Sequence, residues 1–362
     1  MSAQVIIAAG GTGGHVFPAL AVAKGLMARG HGPSWVGSNR GLEARVVPQA
    51  GMPLLQLDFQ GLRGRGLWAL LQMPFGLLRA MLACWAWMRK ASPRLVIVFG
   101  GYVSFPVAVV ARLMGRPVMV HEQNAVMGTA NRWIARWAQA VVVSFEKTRF
   151  APTNSQWIGN PVRQELLALG AARGSMAERT GPLRLLVLGG SLGARPLNEG
   201  LPAALATLAK EGIAFEVRHQ SGLVGQPDCQ ARYAEAGLAA EVLPFIDDMC
   251  SVYAWADFAV CRAGASTVAE MTAVGLPAVY VPLPHAIDDH QTANAAAVVA
   301  AGGAWLVPQG KDFEARLFER LRGLNRAVLL QAARALEGQQ PKAVEARMLD
   351  LCEALMQAEG RP

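Results

Sequence analysis

Two apolar runs that open directly into glycines constrain the fold of this chain more than any other feature. Residues 5–9 lead into Gly10-Gly11-Thr12-Gly13-Gly14-His15, and residues 185–188 lead into Gly189-Gly190-Ser191-Leu192-Gly193. A short apolar run that ends in glycines is typical of a buried strand followed by a tight loop. After the first loop, Pro18 suits the first turn of a helix that residues 19–28 would continue. The sequence therefore predicts a strand, a glycine loop and a helix in each half of the chain.

A loop of this kind is a potential anion site. Glycines let the backbone approach a phosphate closely, and a helix N-terminus presents free N–H groups and the positive end of its dipole. His15 follows the first glycines and is the first candidate for chemistry. The spacing is not that of a dinucleotide fingerprint, because Val16 occupies the place of the last glycine, and the sequence contains no P-loop motif. A glycine turn that only packs a helix on a strand stays open as an alternative here.

Strand-like apolar segments alternate with helical ones along both halves. The candidate strands are residues 34–36, 54–57, 95–99, 118–121, 141–144, 156–158, 183–188, 215–220, 241–243, 258–261, 278–281 and 305–307. Such alternation implies βαβ units, so we expect an α/β protein with two doubly wound, Rossmann-like domains facing each other across a cleft. With a turn at residues 159–161, the expected domains are residues 1–161 and 162–342, and a helix within about 343–362 packs back on the first.

Composition and short motifs exclude several classes of protein. The five cysteines form no C-x-x-C pair, which indicates a reducing compartment rather than a disulfide framework or a zinc site. The chain enters its first strand without a charged region or a cleavage site, so we expect no secretory signal. It contains no D-x-D triplet, and we expect no catalytic metal and no other cofactor.

The net charge of +8 has its origin in one interval of the chain. Between Asp58 and Glu122 lie eight basic residues and no acidic one. A basic face of this kind could meet nucleic acid or an anionic lipid surface. The apolar residues around these cations favour lipid, so we expect no nucleic-acid partner.

Residues 67–88 approach the length and apolarity of a transmembrane helix. Pro74, Gly76 and Arg79 interrupt the segment, and it lies between strands of one sheet, so we do not expect it to span a membrane. A pair of helices that covers the sheet is one interpretation. Helical spacing of apolar residues, interfacial tryptophans and flanking cations favour a peripheral contact with an anionic membrane surface. The predicted contact residues are Leu71, Phe75, Leu78, Arg79, Leu82 and Trp85.

Polar loops follow the candidate strands, and together they resemble one bacterial enzyme family. The segments that carry the resemblance run in order along nearly the whole chain, at residues 10–18, 100–104, 121–124, 159–163, 189–195, 245–249, 262–270 and 289–295. They are similar to the transferases that move N-acetylglucosamine from UDP-N-acetylglucosamine to undecaprenyl-pyrophosphoryl-N-acetylmuramyl-pentapeptide, converting lipid I to lipid II in peptidoglycan synthesis. The resemblance implies a GT-B type fold and a peripheral enzyme on the cytoplasmic side of the bacterial inner membrane, with cell-wall synthesis proteins as candidate partners.

The resemblance also implies roles for individual residues. The implied acceptor-binding residues are Thr12, Gly13, Gly14, His15, Tyr102 and Asn124. The implied donor-binding residues are Thr12, Gly13, Gly14, Asn124, Arg163, Ser191, Ile246, Arg262, Ala265, Ser266, Thr267, Glu270 and Gln291. Among them, Glu270 would bind the ribose, Ile246 would read uracil through its backbone, and Gln291 would hold the sugar hydroxyls. Some members carry a glutamine pair where this chain has His290 and Gln291, so the role of position 290 stays open.

The family inverts the donor linkage by a single displacement, which requires a general base and no nucleophilic carboxylate. Histidine is the side chain that titrates near neutral pH, so His15 is one candidate base. Glu122 is the second, and a partner role for a nearby histidine or arginine is its alternative. The residues alone do not decide between the two catalytic candidates.

Two other functions fit parts of the sequence. A UDP-N-acetylglucosamine 2-epimerase could share both domains and the donor site, but it would have no use for a lipid-facing surface. A non-catalytic nucleotide-sugar-binding protein would not need His15 opposite the donor. A nicotinamide-dependent dehydrogenase is disfavoured by the missing fingerprint.

Overall fold

The structure, a computed structural model, describes residues 4–39, 41–58, 67–172, 176–190, 192–284, 286–339 and 342–358, with the backbone alone for residues 67–72, 171–172, 177 and 287. These residues form two compact units. The first unit holds the described residues up to Val162 and those from Lys342 onward, and the second holds the described residues in between.

Strands and helices alternate in the first unit. Its strands are β1 (Gln4–Ala9), β2 (Gly32–Ser38), β3 (Leu54–Leu57), β4 (Leu95–Gly100), β5 (Val118–Glu122), β6 (Ala140–Val143) and β7 (Gln156–Trp157). The helices between them are α1 (Gly13–Ala28), α2 (Glu43–Gln49), α3 (Leu67–Ala91), α4 (Ser104–Leu113) and α5 (Thr129–Ala135).

The second unit repeats this alternation. Its strands are β8 (Leu183–Leu188), β9 (Phe215–Gln220), β10 (Ala240–Leu243), β11 (Phe258–Cys261), β12 (Ala278–Tyr280) and β13 (Ala304–Leu306). Its helices are α6 (Gln164–Ala172), α7 (Arg195–Lys210), α8 (Gln226–Glu235), α9 (Met249–Trp255), α10 (Ala265–Ala273), α11 (His290–Ala300), α12 (Phe313–Arg322) and α13 (Arg326–Leu336). The last helix, α14 (Val344–Ala358), belongs to the first unit.

Each unit is built on one parallel sheet within the described residues. The strand orders are β3-β2-β1-β4-β5-β6-β7 and β10-β9-β8-β11-β12-β13. The central strands are buried on both faces, as in β1, where the side chains from Val5 to Ala9 are fully buried. The strand order reverses between β1 and β4 and between β8 and β11, the positions at which such sheets bind ligands. The glycine loops leave β1 and β8 at these two positions.

Helix α14 packs on α1 and completes the core of the first unit. Met348 and Cys352 of α14 are fully buried. A Cβ atom on Gly25 of α1 would lie 2.7 Å from Leu349 Cδ1, so a glycine is needed for this close approach. At the rim, Arg29 pairs with Asp350 at 2.7 Å.

The sequence-based prediction of two doubly wound parallel sheets is confirmed. The candidate strands lie within two residues of the observed ends. The expected start of the first helix was wrong, because α1 begins at Gly13 and Pro18 lies inside it. The N–H groups of His15 and Val16 already donate to the Thr12 carbonyl, at 3.1 and 3.2 Å, so the glycines themselves form the first turn. The interpretation of residues 67–88 as a pair of helices was also wrong, since α3 continues through Pro74 as one helix.

Candidate active site

Two glycine loops of the first unit meet where its strand order reverses. A Cβ atom on Gly101, after β4, would lie 2.6 Å from the carbonyl oxygen of Gly10, after β1. Gly100 and Gly101 have φ angles of 108° and 82°, which favour glycine. Ser104 holds the second loop, because its Oγ accepts the Gly100 N–H at 3.1 Å and donates to the Gly100 carbonyl at 2.7 Å. The contact therefore depends on the glycines of both loops.

His15 lies in the first turn of α1, at this contact. A Cβ atom on Gly100 would lie 2.9 Å from both Cδ2 and Nε2 of the His15 ring, so the ring edge packs directly on the glycine backbone. The His15 side chain is half-buried. The first turn of α1 also contains Gly13 and Gly14, whose N–H groups have no intrahelical acceptor because the helix begins there.

Glu122 ends β5 and is buried, with its carboxylate fully engaged. Its Oε1 accepts the backbone and side-chain N–H groups of Asn124, at 2.9 and 3.1 Å. Its Oε2 accepts the Gly128 N–H at 3.0 Å and the Asn131 side chain at 2.8 Å. Among the described residues these partners are amides, not the histidine or arginine of the alternative interpretation. The carboxylate therefore organises the loop after β5.

The predicted acceptor residues lie on loops that follow neighbouring strands. The loop after β1 and the first turn of α1 carry Thr12, Gly13, Gly14 and His15, and the loops after β4 and β5 carry Tyr102 and Asn124. Since β1, β4 and β5 are adjacent in the sheet, the first unit places these residues along one edge.

Sequence analysis missed Asn131, which is hydrogen-bonded to one candidate base and lies near the other. It lies on α5, is 2% exposed, and donates to Glu122. A Cβ atom on Gly100 would lie 3.4 Å from Asn131 Nδ2, and the His15 ring packs against the same Gly100. A buried amide in a short helix after a glycine was the available signal.

His121, also missed, has a structural role beside this cluster. Its Nδ1 accepts from the Gln123 amide at 2.8 Å, and its Nε2 donates to the Gly159 carbonyl at 3.1 Å. Burial lowers the pKa of His121 to about 4, so the ring is neutral at pH 7. It ties the end of β5 to the segment after β7.

The glycine loop of the second unit is held by Gln220, a residue that sequence analysis missed. A Cβ atom on Gly193 would collide with the carbonyl of Ser221, and the φ of Gly193 is 79°. The Gln220 amide donates to the Gly190 carbonyl at 2.9 Å, and its oxygen accepts the Ile246 N–H at 3.0 Å. Gln220 thus links two predicted donor loops. A glutamine at the end of a candidate strand was the signal.

The predicted donor residues include Ser191 and Ile246. Ser191 lies outside the described residues. The backbone N–H of Ile246 is already used, because it donates to the Gln220 side-chain oxygen.

Glu270 lies on α10 with two partners in the second unit. Its Oε2 accepts from the Tyr253 hydroxyl at 2.8 Å, and its Oε1 lies 3.5 Å from Nη2 of Arg163. Burial raises the pKa of Glu270, and the charge of Arg163 opposes that shift. Only 13% of the carboxylate side chain is exposed. Tyr253 was not predicted, because it is 17 residues away in sequence.

Arg262 follows β11 and is held by neutral acceptors. Its Nη1 donates to the carbonyls of Val281 and Pro282, at 3.0 and 3.1 Å, and to Gln309 Oε1 at 2.8 Å. Burial lowers the pKa of Arg262. These three contacts orient the guanidinium without neutralising its charge.

Helix α10 begins directly after this arginine. Gly264 precedes the helix and provides no side-chain cap. Ala265, Ser266 and Thr267 form the first turn, at the positive end of the helix dipole. The structure therefore brings Arg262 and a helix N-terminus together at the end of β11.

Gln291 and His290 begin α11. The Gln291 oxygen accepts the Leu283 N–H at 2.9 Å, which fixes the direction of the side chain. His290 is half-buried at the helix start, after Asp289 in the left-handed region at a φ of 51°.

Helix α3 presents an apolar face to solvent. Ala80, Cys84 and Met88 are buried against the sheet. The opposite face exposes Phe75 (73%), Leu78 (55%), Leu82 (61%) and Trp85 (39%), together with Arg79. The side chain of Leu71 lies outside the described residues. No helix in the described ranges combines the length and apolarity needed to cross a membrane.

Comparison with known proteins agrees with both halves of this description. Residues 5–143 match the glycosyltransferase family 28 N-terminal domain, and residues 184–347 match the family 28 C-terminal domain. A Bordetella petrii protein named UDP-N-acetylglucosamine--N-acetylmuramyl-(pentapeptide) pyrophosphoryl-undecaprenol N-acetylglucosamine transferase is 47% identical over 359 residues, 99% of this chain and 98% of its own. A Pseudomonas putida protein of the same name is 51% identical over 318 residues, 88% of each chain.

Two solved structures show the same architecture. The crystal structure of Acinetobacter baumannii MurG matches with a TM-score of 0.79 and 38% identity, covering 98% of this chain and 100% of that one. A putative UDP-N-acetylglucosamine 2-epimerase from Listeria monocytogenes matches with a TM-score of 0.69 at 13% identity, covering 100% of this chain and 98% of that one, which shows a shared fold alone. The chain therefore belongs to glycosyltransferase family 28, in the branch of the pyrophosphoryl-undecaprenol N-acetylglucosamine transferases.

Proposed function

We propose that the protein transfers N-acetylglucosamine from UDP-N-acetylglucosamine to the 4-hydroxyl of N-acetylmuramic acid in undecaprenyl-pyrophosphoryl-N-acetylmuramyl-pentapeptide. The near full-length similarity to the Bordetella petrii transferase carries this proposal, because it includes both switch-point loops. The reaction is a single displacement with inversion, in which the acceptor oxygen attacks the anomeric carbon as UDP leaves. Its product is a lipid-linked disaccharide.

The first unit would bind the acceptor and hold the base. The start of α1, with its glycines and the positive end of its helix dipole, suits the acceptor pyrophosphate. His15, half-buried in the same turn, would take the hydroxyl proton. The engagement of Glu122 with four donors supports His15 over Glu122, because a proton on that carboxylate would displace one of its donors.

The second unit would bind the donor. The start of α10 and Arg262 would meet the UDP phosphates, where they stabilise the charge that develops as the bond to the sugar breaks. Glu270 would accept the ribose hydroxyls, in the way that it now accepts from Tyr253. Gln291 would contact the sugar hydroxyls through its amide group, and His290 would lie next to them.

We further propose that no metal ion takes part. The chain supplies its own positive charges to the leaving group, and among the described residues no cluster of three or more histidine, cysteine, aspartate or glutamate side chains is suited to a metal. We expect the transfer rate to be unchanged by EDTA. A rate that falls with EDTA and returns with added magnesium would contradict this part of the proposal.

The membrane contact is proposed from the exposed face of α3. Neighbouring helices add exposed Leu113 and Trp133, and Arg136 stacks on the Trp133 ring at 4.3 Å. Tryptophan and arginine together are favoured at the bilayer interface. We infer that this surface rests on the cytoplasmic leaflet, which carries the lipid-linked acceptor.

An assay of UDP release with and without the acceptor tests the proposal. The purified protein should release UDP from UDP-N-acetylglucosamine in the presence of a lipid I analogue and not in its absence. Formation of UDP-N-acetylmannosamine without acceptor would indicate the epimerase, and donor binding without turnover would indicate a sensor. Either outcome would contradict the transferase proposal.

A further inference from the structure

Glu43 is a buried carboxylate directly behind the glycine loop of the first unit. It is the first residue of α2 and is fully buried. Sequence analysis did not consider it, and none of the proposed acceptor, donor or membrane contacts uses it. A buried carboxylate is costly unless donors surround it, so its position calls for a physical explanation.

Three hydrogen bonds hold this carboxylate. Oε1 accepts the backbone N–H and the hydroxyl of Ser38, at 2.8 and 2.7 Å. Oε2 accepts the backbone N–H of Gly11 at 3.2 Å. Gly11 has a φ of 96°, in the region that favours glycine, and it directly precedes Thr12 and the first turn of α1. Glu43 therefore fixes the backbone of the glycine loop from its inner side.

Glycines line the space that Glu43 occupies. A Cβ atom on Gly10 would lie 2.8 Å from Oε1, and one on Gly37 would lie 2.5 Å from Cγ. A Cβ atom on Gly41 would collide with the carboxylate itself. Three separate segments of chain thus approach one another only because they lack side chains there.

We propose that Glu43 is a positioning residue for the acceptor side of the transfer reaction. Its carboxylate accepts the Gly11 N–H and so fixes the backbone direction of the glycine loop. This holds the N–H groups at the start of α1 and the His15 ring in position to contact the acceptor. The charge is required as well as the shape, because all three partners are donors and a carboxylate supplies acceptors alone. This inference rests on the proposed function.

The decisive variant is Glu43→Gln, which keeps the shape and removes the charge. One end of the amide must then face a donor with its own NH₂ group, so the loop loses a hydrogen bond. We expect kcat/KM for the lipid I analogue to fall about 10- to 100-fold, since misplacement of about 1 Å has effects of this size. The dissociation constant for UDP should change much less, because Arg262 and Glu270, which are proposed to bind UDP, lie in the second unit.

Gly41→Ala is a second route to the same effect. The variant keeps Glu43, but the added Cβ atom displaces its carboxylate. We therefore expect the same loss of kcat/KM for the acceptor. Glu353→Gln is the matched control, because Glu353 is a paired carboxylate of the same unit, hydrogen-bonded to Arg29 and His31, away from the loop. The control should keep the wild-type kcat/KM.

The outcomes separate this inference from the proposed function. If wild type does not transfer the sugar, the proposed function fails. If wild type is active and Glu43→Gln has the same kcat/KM for acceptor, the positioning role is wrong. If Glu43→Gln and Gly41→Ala both lower the acceptor kcat/KM and the UDP affinity by the same factor, the variants are generally destabilised. That result would also overturn the inference.

Discussion

At the scale of single residues, the Glu122 carboxylate already accepts four N–H groups, which favours His15 as the base. We expect His15→Ala to keep the fold and the affinity for UDP but to lower kcat by about 10²- to 10⁴-fold, the usual contribution of a general base. Steady-state kinetics with saturating acceptor measures this. Near-normal turnover in the variant would remove His15 as the base and favour Glu122.

Glu270 allows a residue-scale prediction for the donor. In Glu270→Ala the Kd for UDP should rise about 10- to 100-fold, because a desolvated carboxylate that serves two hydroxyls is lost. Isothermal titration with UDP measures the change. Tyr253→Phe is the control, since it removes the hydroxyl that donates to Glu270 and keeps the carboxylate. An unchanged Kd in Glu270→Ala would mean that this side chain acts only as a charge on α10.

At the scale of elements, α3 covers the sheet with one face and exposes apolar side chains on the other, which we propose as the membrane contact. We expect wild type to co-sediment with anionic vesicles in a salt-sensitive way. The double variant Phe75→Glu, Arg79→Glu should bind these vesicles about tenfold more weakly. It removes an apolar side chain from the contact and replaces a positive charge with a negative one. Unchanged binding would place the membrane surface elsewhere.

The matched control for α3 lies in the second unit. Leu223 is 79% exposed and Arg232 is exposed, so Leu223→Glu, Arg232→Glu makes the same change in charge and apolarity. It should bind vesicles as wild type does. Equal weakening in both double variants would show that net charge, not the face of α3, governs binding.

Buried histidines connect elements in both units and give stability a defined pH dependence. His219 lies between Asn198 Oδ1 and the Tyr233 hydroxyl, each at 3.1 Å, and burial lowers its pKa to about 3. His121 has a pKa of about 4 for the same reason. The unfolded chain binds these protons near pH 6.5, so the free energy of unfolding falls as pH drops from 6.5 towards 4, by up to about 1.4 kcal/mol per pH unit per histidine.

Chemical denaturation at pH 7 and pH 5.5 measures this slope. His219→Gln cannot titrate, so its free energy of unfolding should depend less steeply on pH than that of wild type. Identical slopes in the two proteins would contradict the assignment of His219 as neutral in the folded state.

At the scale of the whole molecule, the sequence predicted the strands and sheets better than the side-chain contacts. Strand positions follow from local apolar runs and glycines, so β1, β4 and β8 were predicted to within a residue. The glycine loops and Glu270 were also recognisable locally. The start of α1 was not, because glycines form its first turn against their own propensity.

The residues that sequence analysis missed share one property. Glu43, Asn131, Gln220 and Tyr253 act through partners on other elements, such as Gly11, which is 32 residues from Glu43. A contact between residues so far apart in the sequence leaves no local sequence pattern. The fold of each unit could therefore be predicted from the chain, whereas the network that supports each site required the structure.

The most direct test of the whole account follows the transferred sugar itself. UDP-N-acetylglucosamine labelled with carbon-13 at the anomeric carbon is incubated with the protein and a lipid I analogue, and the product is examined by NMR. The account predicts that the labelled carbon is joined to the 4-oxygen of N-acetylmuramic acid in a β-linkage. A label found in an α-linkage, in free N-acetylglucosamine or in a different sugar nucleotide would contradict it.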